Sequence, residues 1–75
     1  MSPQKILDNL AEFIREQREQ RGMSISKFSK LCGVSGESIS VYERGKQFPT
    51  LYTLCLIANA LDVSLDEMCG WEAGD

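Results

Sequence analysis

The side chains best suited to chemistry are basic and hydroxyl groups gathered in the middle of the 75-residue chain, and what they suit is holding anions. Residues 21 to 46 carry five basic groups (Arg21, Lys27, Lys30, Arg44, Lys46) against two acidic ones, Glu37 and Glu43, so the segment is locally +3. Residues 1 to 20 carry three basic and four acidic groups, and residues 47 to 75 carry five acidic and no basic groups. The formal net charge is therefore -3. Phosphate attraction depends on local potential, so this acidic total does not forbid it but predicts modest affinity and few phosphate contacts.

Other chemistries find little support. The chain has no histidine, no phosphate-cradling glycine loop and no paired-carboxylate motif, so an enzyme is not expected, nor is a cofactor. Its three cysteines, at 32, 55 and 69, have no metal-ligand spacing. An odd number favours reduced thiols packed as small apolar side chains, with no metal bound.

The elements that must position the basic segment centre on Ser24 to Gly45. Apolar residues recur at helical spacing (Phe28, Leu31 and Cys32, then Ile39 and Tyr42) on either side of Gly33. Ser24 stands where an N-cap oxygen accepts free N–H groups, with Met23 placed to pack on Phe28; Ser35 and Val34 repeat the arrangement before Ile39. Gly33 can take a positive φ, letting one helix end and the next leave at a steep angle. Such a bihelical unit exposes one face of its second helix, the geometry a DNA major groove accepts.

The order of residues resembles the Cro and phage-repressor type of helix-turn-helix family, also called XRE-like. The matching positions are Arg18 and Gly22, Ser24 and Phe28, Gly33 to Ser35, Ile39, Glu43 to Lys46, Pro49, and the runs LCLIANALDVS and LDEM. They span roughly Leu7 to Met68. The resemblance implies an all-α, compact, five-helix lambda-repressor-like domain over residues 1–70, with the helix-turn-helix at helices 2 and 3 and a short tail at 71–75. It also implies a homodimer on a two-fold double-stranded DNA site. Within it, Arg18 pairs with Glu43 and ties helix 1 to the end of the recognition helix, a role that suits a bidentate Arg-carboxylate contact.

Helix 2 is expected over about Ile25 to Cys32. Ile25 stands where the family often has a polar phosphate-binding residue, which leaves the backbone N–H groups above Ser24 to hold a phosphate. Helix 3, about Gly36 to Arg44, is the expected reader. With Ile39 and Tyr42 turned inward, Gly36, Glu37, Ser38, Ser40 and Val41 point outward and, with Ser35 before them, are the expected DNA contacts of this helix. The family often has Gln, Arg or Lys at the positions of Gly36, Glu37 and Val41, and this chain departs at all three. Glutamate can accept from cytosine N4, serine can donate or accept, and valine can touch a thymine methyl, so readout is expected to be sparse and partly shape-dependent. Arg44 and Lys46 sit where the family's loop meets the DNA backbone, which positions the protein without reading sequence.

The remaining helices frame this unit. Pro3 after Ser2 starts helix 1, which puts Ile6, Leu10, Phe13, Ile14 and Gln17 on one stripe and ends near Arg21. Thr50 caps helix 4, about Leu51 to Leu61. One stripe of it (Leu51, Leu54, Ile57, Ala58, Leu61) is expected in the core. A second (Tyr52, Cys55, Leu56, Asn59) needs cover from the same chain or from a second subunit. Ser64 and Glu67 form a capping box for a short helix 5. Trp71 either completes the core or joins Leu65 and Met68 in a dimer contact that also draws on Tyr52 and Leu56.

At 43% apolar and 25% charged residues, this is an ordinary globular chain. No apolar run approaches the roughly 18 residues of a membrane span, and no signal-peptide pattern opens the chain, so a cytoplasmic protein without membrane contact is expected. No effector domain is expected after helix 5. The expected function is a dimeric transcriptional regulator of the repressor kind. A protein-binding adaptor or antitoxin-like module on the same fold is the alternative, motivated by the acidic total and the second stripe of helix 4.

Overall fold

The structure, a computed structural model, describes residues 2–71. They form five helices: α1 (Pro3–Gln20), α2 (Ile25–Cys32), α3 (Gly36–Glu43), α4 (Leu51–Leu61) and α5 (Leu65–Cys69). Every helix starts on a hydroxyl cap. Ser2, Ser24, Ser35, Thr50 and Ser64 are extended and accept from the backbone N–H three residues on, satisfying a donor that the first turn leaves free. At Ser64 the capping box with Glu67 is complete. Arg21 and Arg44, each assigned to a helix end by the sequence, are instead the C-caps of α1 and α3.

The core is built from α1 (Leu10, Ile14), α2 (Phe28, Cys32), α3 (Ile39), α4 (Ile57, Ala58, Leu61) and α5 (Met68). Met23 and Val34, the residues before two caps, pack partly buried against it. Helix α1 packs on α3 and α5, and α2 packs on α3 and α4, so α3 is held from two sides. The last residue of α5 is tied to α1 by Asn9, whose Nδ2 donates to the Cys69 carbonyl at 2.9 Å.

The packing departs from the helical periodicity at several residues. Leu51 is 69% exposed; as the first residue of α4, its side chain leans back beyond the packed turns, and the inward stripe starts at Leu54. Leu31 is also exposed. Cys55 is exposed and does not serve as a packed apolar group, unlike buried Cys32. Met68 is fully buried in the core of its own chain, so it has no surface to offer a dimer contact. Trp71 is 48% exposed and does not complete the core. Tyr52, Cys55 and Asn59 of the second α4 stripe face outward, with Leu56 half-buried beside them. The rest of the expected tail, residues 72–75, lies outside the described residues.

Candidate nucleic-acid interface

Helix α2 ends at Gly33, whose φ of 75° lies in the left-handed region. The N–H groups of Gly33 and Val34 both donate to the Ser29 carbonyl, at 2.9 and 3.2 Å, and Ser29 Oγ donates to the Val34 carbonyl. Three bonds on one small residue thus set the angle at which α3 leaves. Gly36, the first residue of α3, faces α2: a Cβ there would stand 3.5 Å from Ile25 Cγ2 and 4.0 Å from Ser29 Cβ. These are ordinary contact distances, so Gly36 faces α2 and offers the outer surface no functional group.

The far end of α3 is locked to α1. Arg18 Nε donates to Glu43 Oε2 at 2.7 Å and Arg18 Nη2 donates to Oε1 at 3.0 Å, while Nη1 reaches the Met23 carbonyl at 2.9 Å. The hydrogen bond to Glu43 raises the guanidinium pKa, more than burial lowers it, and the carboxylate charge adds to the rise. Arg15 adds a 3.4 Å bond to the Glu43 carbonyl. Glu43 is 8% exposed, so it braces the helix and cannot reach a base.

Between these two anchors the outer face of α3 is open. Glu37 is exposed; Ser38, Ser40 and Val41 are half-buried. Ser35 accepts from the Ser38 N–H at 3.1 Å and donates its own proton to Ser38 Oγ at 2.9 Å. Ser24 is exposed and accepts from the Lys27 N–H at 3.1 Å. Arg44 and Lys46 are exposed beside Gly45, whose φ of 65° turns the chain away from the helix. Of the other basic groups in the segment, Lys27 and Lys30 are exposed, while Arg21 reaches back to the Leu61 carbonyl at 3.4 Å.

One residue of this surface was not singled out from the sequence. Gln47 shares a concavity of about 230 Å³ with Glu37, Ser38, Val41 and Tyr42. The only available signal was its place directly after Lys46 in the turn. Among the described residues, no group of three or more His, Cys, Asp or Glu side chains could hold a metal, and no helix is long and apolar enough to cross a membrane.

Five helices, with the second and third hinged at a left-handed glycine and the third open to solvent, define a helix-turn-helix domain. A helix-turn-helix family model matches residues 14–68, and the chain belongs to that family. It is 35% identical over 66 residues to the cryptic phage CTXphi transcriptional repressor RstR of Vibrio cholerae serotype O1, covering 88% of this chain and 59% of that one. It is 38% identical over 61 residues to the HTH-type transcriptional regulator SutR of Escherichia coli K12, covering 76% of this chain and 34% of that one. The chain thus spans less than two thirds of these relatives.

Among solved structures, an HTH_3 family transcriptional regulator from Vibrio cholerae matches with a TM-score of 0.80 at 30% identity, over 89% of this chain and 38% of that one. The restriction-modification controller protein C.AhdI from Aeromonas hydrophila matches with a TM-score of 0.74 at 27% identity, over 83% of this chain and 94% of that one.

Proposed function

We propose that this protein is a sequence-specific DNA-binding transcriptional regulator, acting as a repressor. The observation that carries the reading is the open outer face of α3, held at both ends, with Arg44 and Lys46 exposed at its C-terminal side. Helix α3 enters the major groove; Glu37, Ser38, Ser40 and Val41 meet base edges, and Arg44, Lys46 and the capped start of α2 at Ser24 meet phosphates. Ser35, the cap of α3, stands at the end of the helix that meets the duplex, while Gly36 faces α2. The similarity to repressors and regulators supports the same reading.

The regulator works in the cytoplasm as a homodimer on a palindromic site, its half-sites about 10 bp apart as two-fold docking requires. The outward stripe of α4, centred on Tyr52 and Leu56, supports the dimer, and Leu65 and Trp71 extend that contact. Selection from a random DNA library at about 50 mM salt tests the proposal. A palindromic consensus is expected, and a folded protein that enriches no sequence overturns the reading.

A second reading is supported by one specific observation: helix α4 carries no charged residue, and Tyr52 on its outer side is 73% exposed. On that reading the α4 face binds a different protein, as an adaptor or antitoxin-like module does. Substituting Tyr52 and Leu56 together with polar residues abolishes partner capture if it holds; unchanged capture by a folded variant removes it.

A further inference from the structure

The outer face of α3 has a gap in its hydrogen-bonding repertoire. Glu37 as a carboxylate only accepts, Ser38 and Ser40 carry hydroxyls, and Val41 is apolar. None of these is a carboxamide, the group that donates and accepts side by side and so matches adenine N6 and N7. Gln47 supplies one. It is exposed and lines the same concavity as Glu37, Ser38, Val41 and Tyr42.

The turn that carries Gln47 is fastened to the reading helix. The Gly45 N–H donates to the Tyr42 carbonyl at 3.0 Å, and the Lys46 N–H donates to the Val41 carbonyl at 3.3 Å. Gln47 is therefore placed by the last turn of α3, and a helix seated in the groove brings it there too. Val41 and Tyr42 line the same concavity, and the Val41 methyls are a surface on which a thymine C5-methyl can pack.

We propose that Gln47 is a specificity-determining residue: its carboxamide reads the adenine of an A·T pair while the thymine methyl of that pair rests on Val41 and Tyr42. The assignment rests on the DNA-reading role of α3 proposed above and extends the reading surface from the helix into the following turn.

Parallel site selections with the full chain and with Gln47→Ala and Gln47→Glu test it, with helicity and thermal unfolding measured on each protein. For Gln47→Ala, the preference for A·T at one position of each half-site is expected to fall about tenfold, with the other positions unchanged. For Gln47→Glu, which keeps the length but loses the donor, the preference at that position moves towards cytosine. An unaltered consensus in Gln47→Ala overturns the assignment alone, and so does a uniform loss of affinity across all sequences, which places Gln47 on a phosphate. A wild-type protein that selects no consensus overturns the regulator reading and this assignment with it.

Discussion

Arg18 and Glu43, 25 residues apart in the chain, meet through two parallel hydrogen bonds of 2.7 and 3.0 Å that join α1 to the last residue of α3. A third bond from the same guanidinium to the Met23 carbonyl anchors the turn before α2. One side chain thereby fixes the start of one helix of the helix-turn-helix and the end of the other.

Removing Glu43 strands a guanidinium whose side chain is only 17% exposed. Glu43→Ala should lower the free energy of unfolding by about 3 kcal/mol, the low end for breaking a buried pair because Arg18 keeps some contact with water. Urea denaturation measures this. A loss below about 1 kcal/mol would place the pair with ordinary surface salt bridges.

Two left-handed residues should respond in opposite directions. Asp62, with a φ of 57°, ends α4 without the conformational freedom of glycine. Asp62→Gly should stabilise by about 0.5 kcal/mol, since relief of the left-handed strain exceeds the added flexibility of the unfolded chain. At Gly70, with a φ of 71°, a Cβ would stand 2.6 Å from Asn9 Nδ2 and displace its bond to Cys69. Gly70→Ala should destabilise by about 2 kcal/mol. Thermal melts of the two variants should shift apart, upwards and downwards.

Lys46 is exposed, and on the proposed reading it meets a phosphate and no base, so Lys46→Ala should weaken binding to all DNA sequences alike. The slope of log affinity against log salt should shrink by about one. Fluorescence anisotropy across a salt series supplies the number, and a change confined to one base position would refute the phosphate role.

The cysteines should differ in reactivity. Cys55 is exposed, Cys32 is buried, and burial pushes the thiol pKa of Cys32 up, only partly offset by Arg21. Timed alkylation of the folded protein, read by mass spectrometry, should label Cys55 first and Cys32 last. Because the unfolded chain releases the Cys32 proton at the lower, ordinary thiol pKa, the stability from keeping it protonated is complete below that value. It is lost as pH rises towards the raised folded value. The stability difference between wild type and Cys32→Ala should therefore narrow between neutral and alkaline pH.

The outward stripe of α4 should govern association. Tyr52→Glu combined with Leu56→Glu places charge on that face and should convert a dimer into a folded monomer. Sedimentation equilibrium checks the mass and circular dichroism the fold; an unchanged dimer would move the interface elsewhere.

The helices and their starts were legible in the sequence because their causes are local. Hydroxyl residues at 2, 24, 35, 50 and 64 satisfy N–H groups within the next turn, and Gly33 and Gly45 stand where the backbone needs a positive φ. The order of these signals, together with Phe28, Ile39 and the Arg18 and Glu43 positions, was enough to reach the family. Burial depends on what lies across the fold, and there the periodicity of single helices misled. Leu51 lies on the inward stripe of α4 yet extends past the packed turns, and Met68 sits in a helix too short for its pattern to reveal a fully buried side chain. Gln47 carries no local signal beyond polarity; only the fastening of its turn to α3 brings it beside Glu37 and Val41. Capping and helical spacing are properties of neighbours in the chain, whereas exposure and the sharing of one surface are decided by residues brought together only when the helices pack.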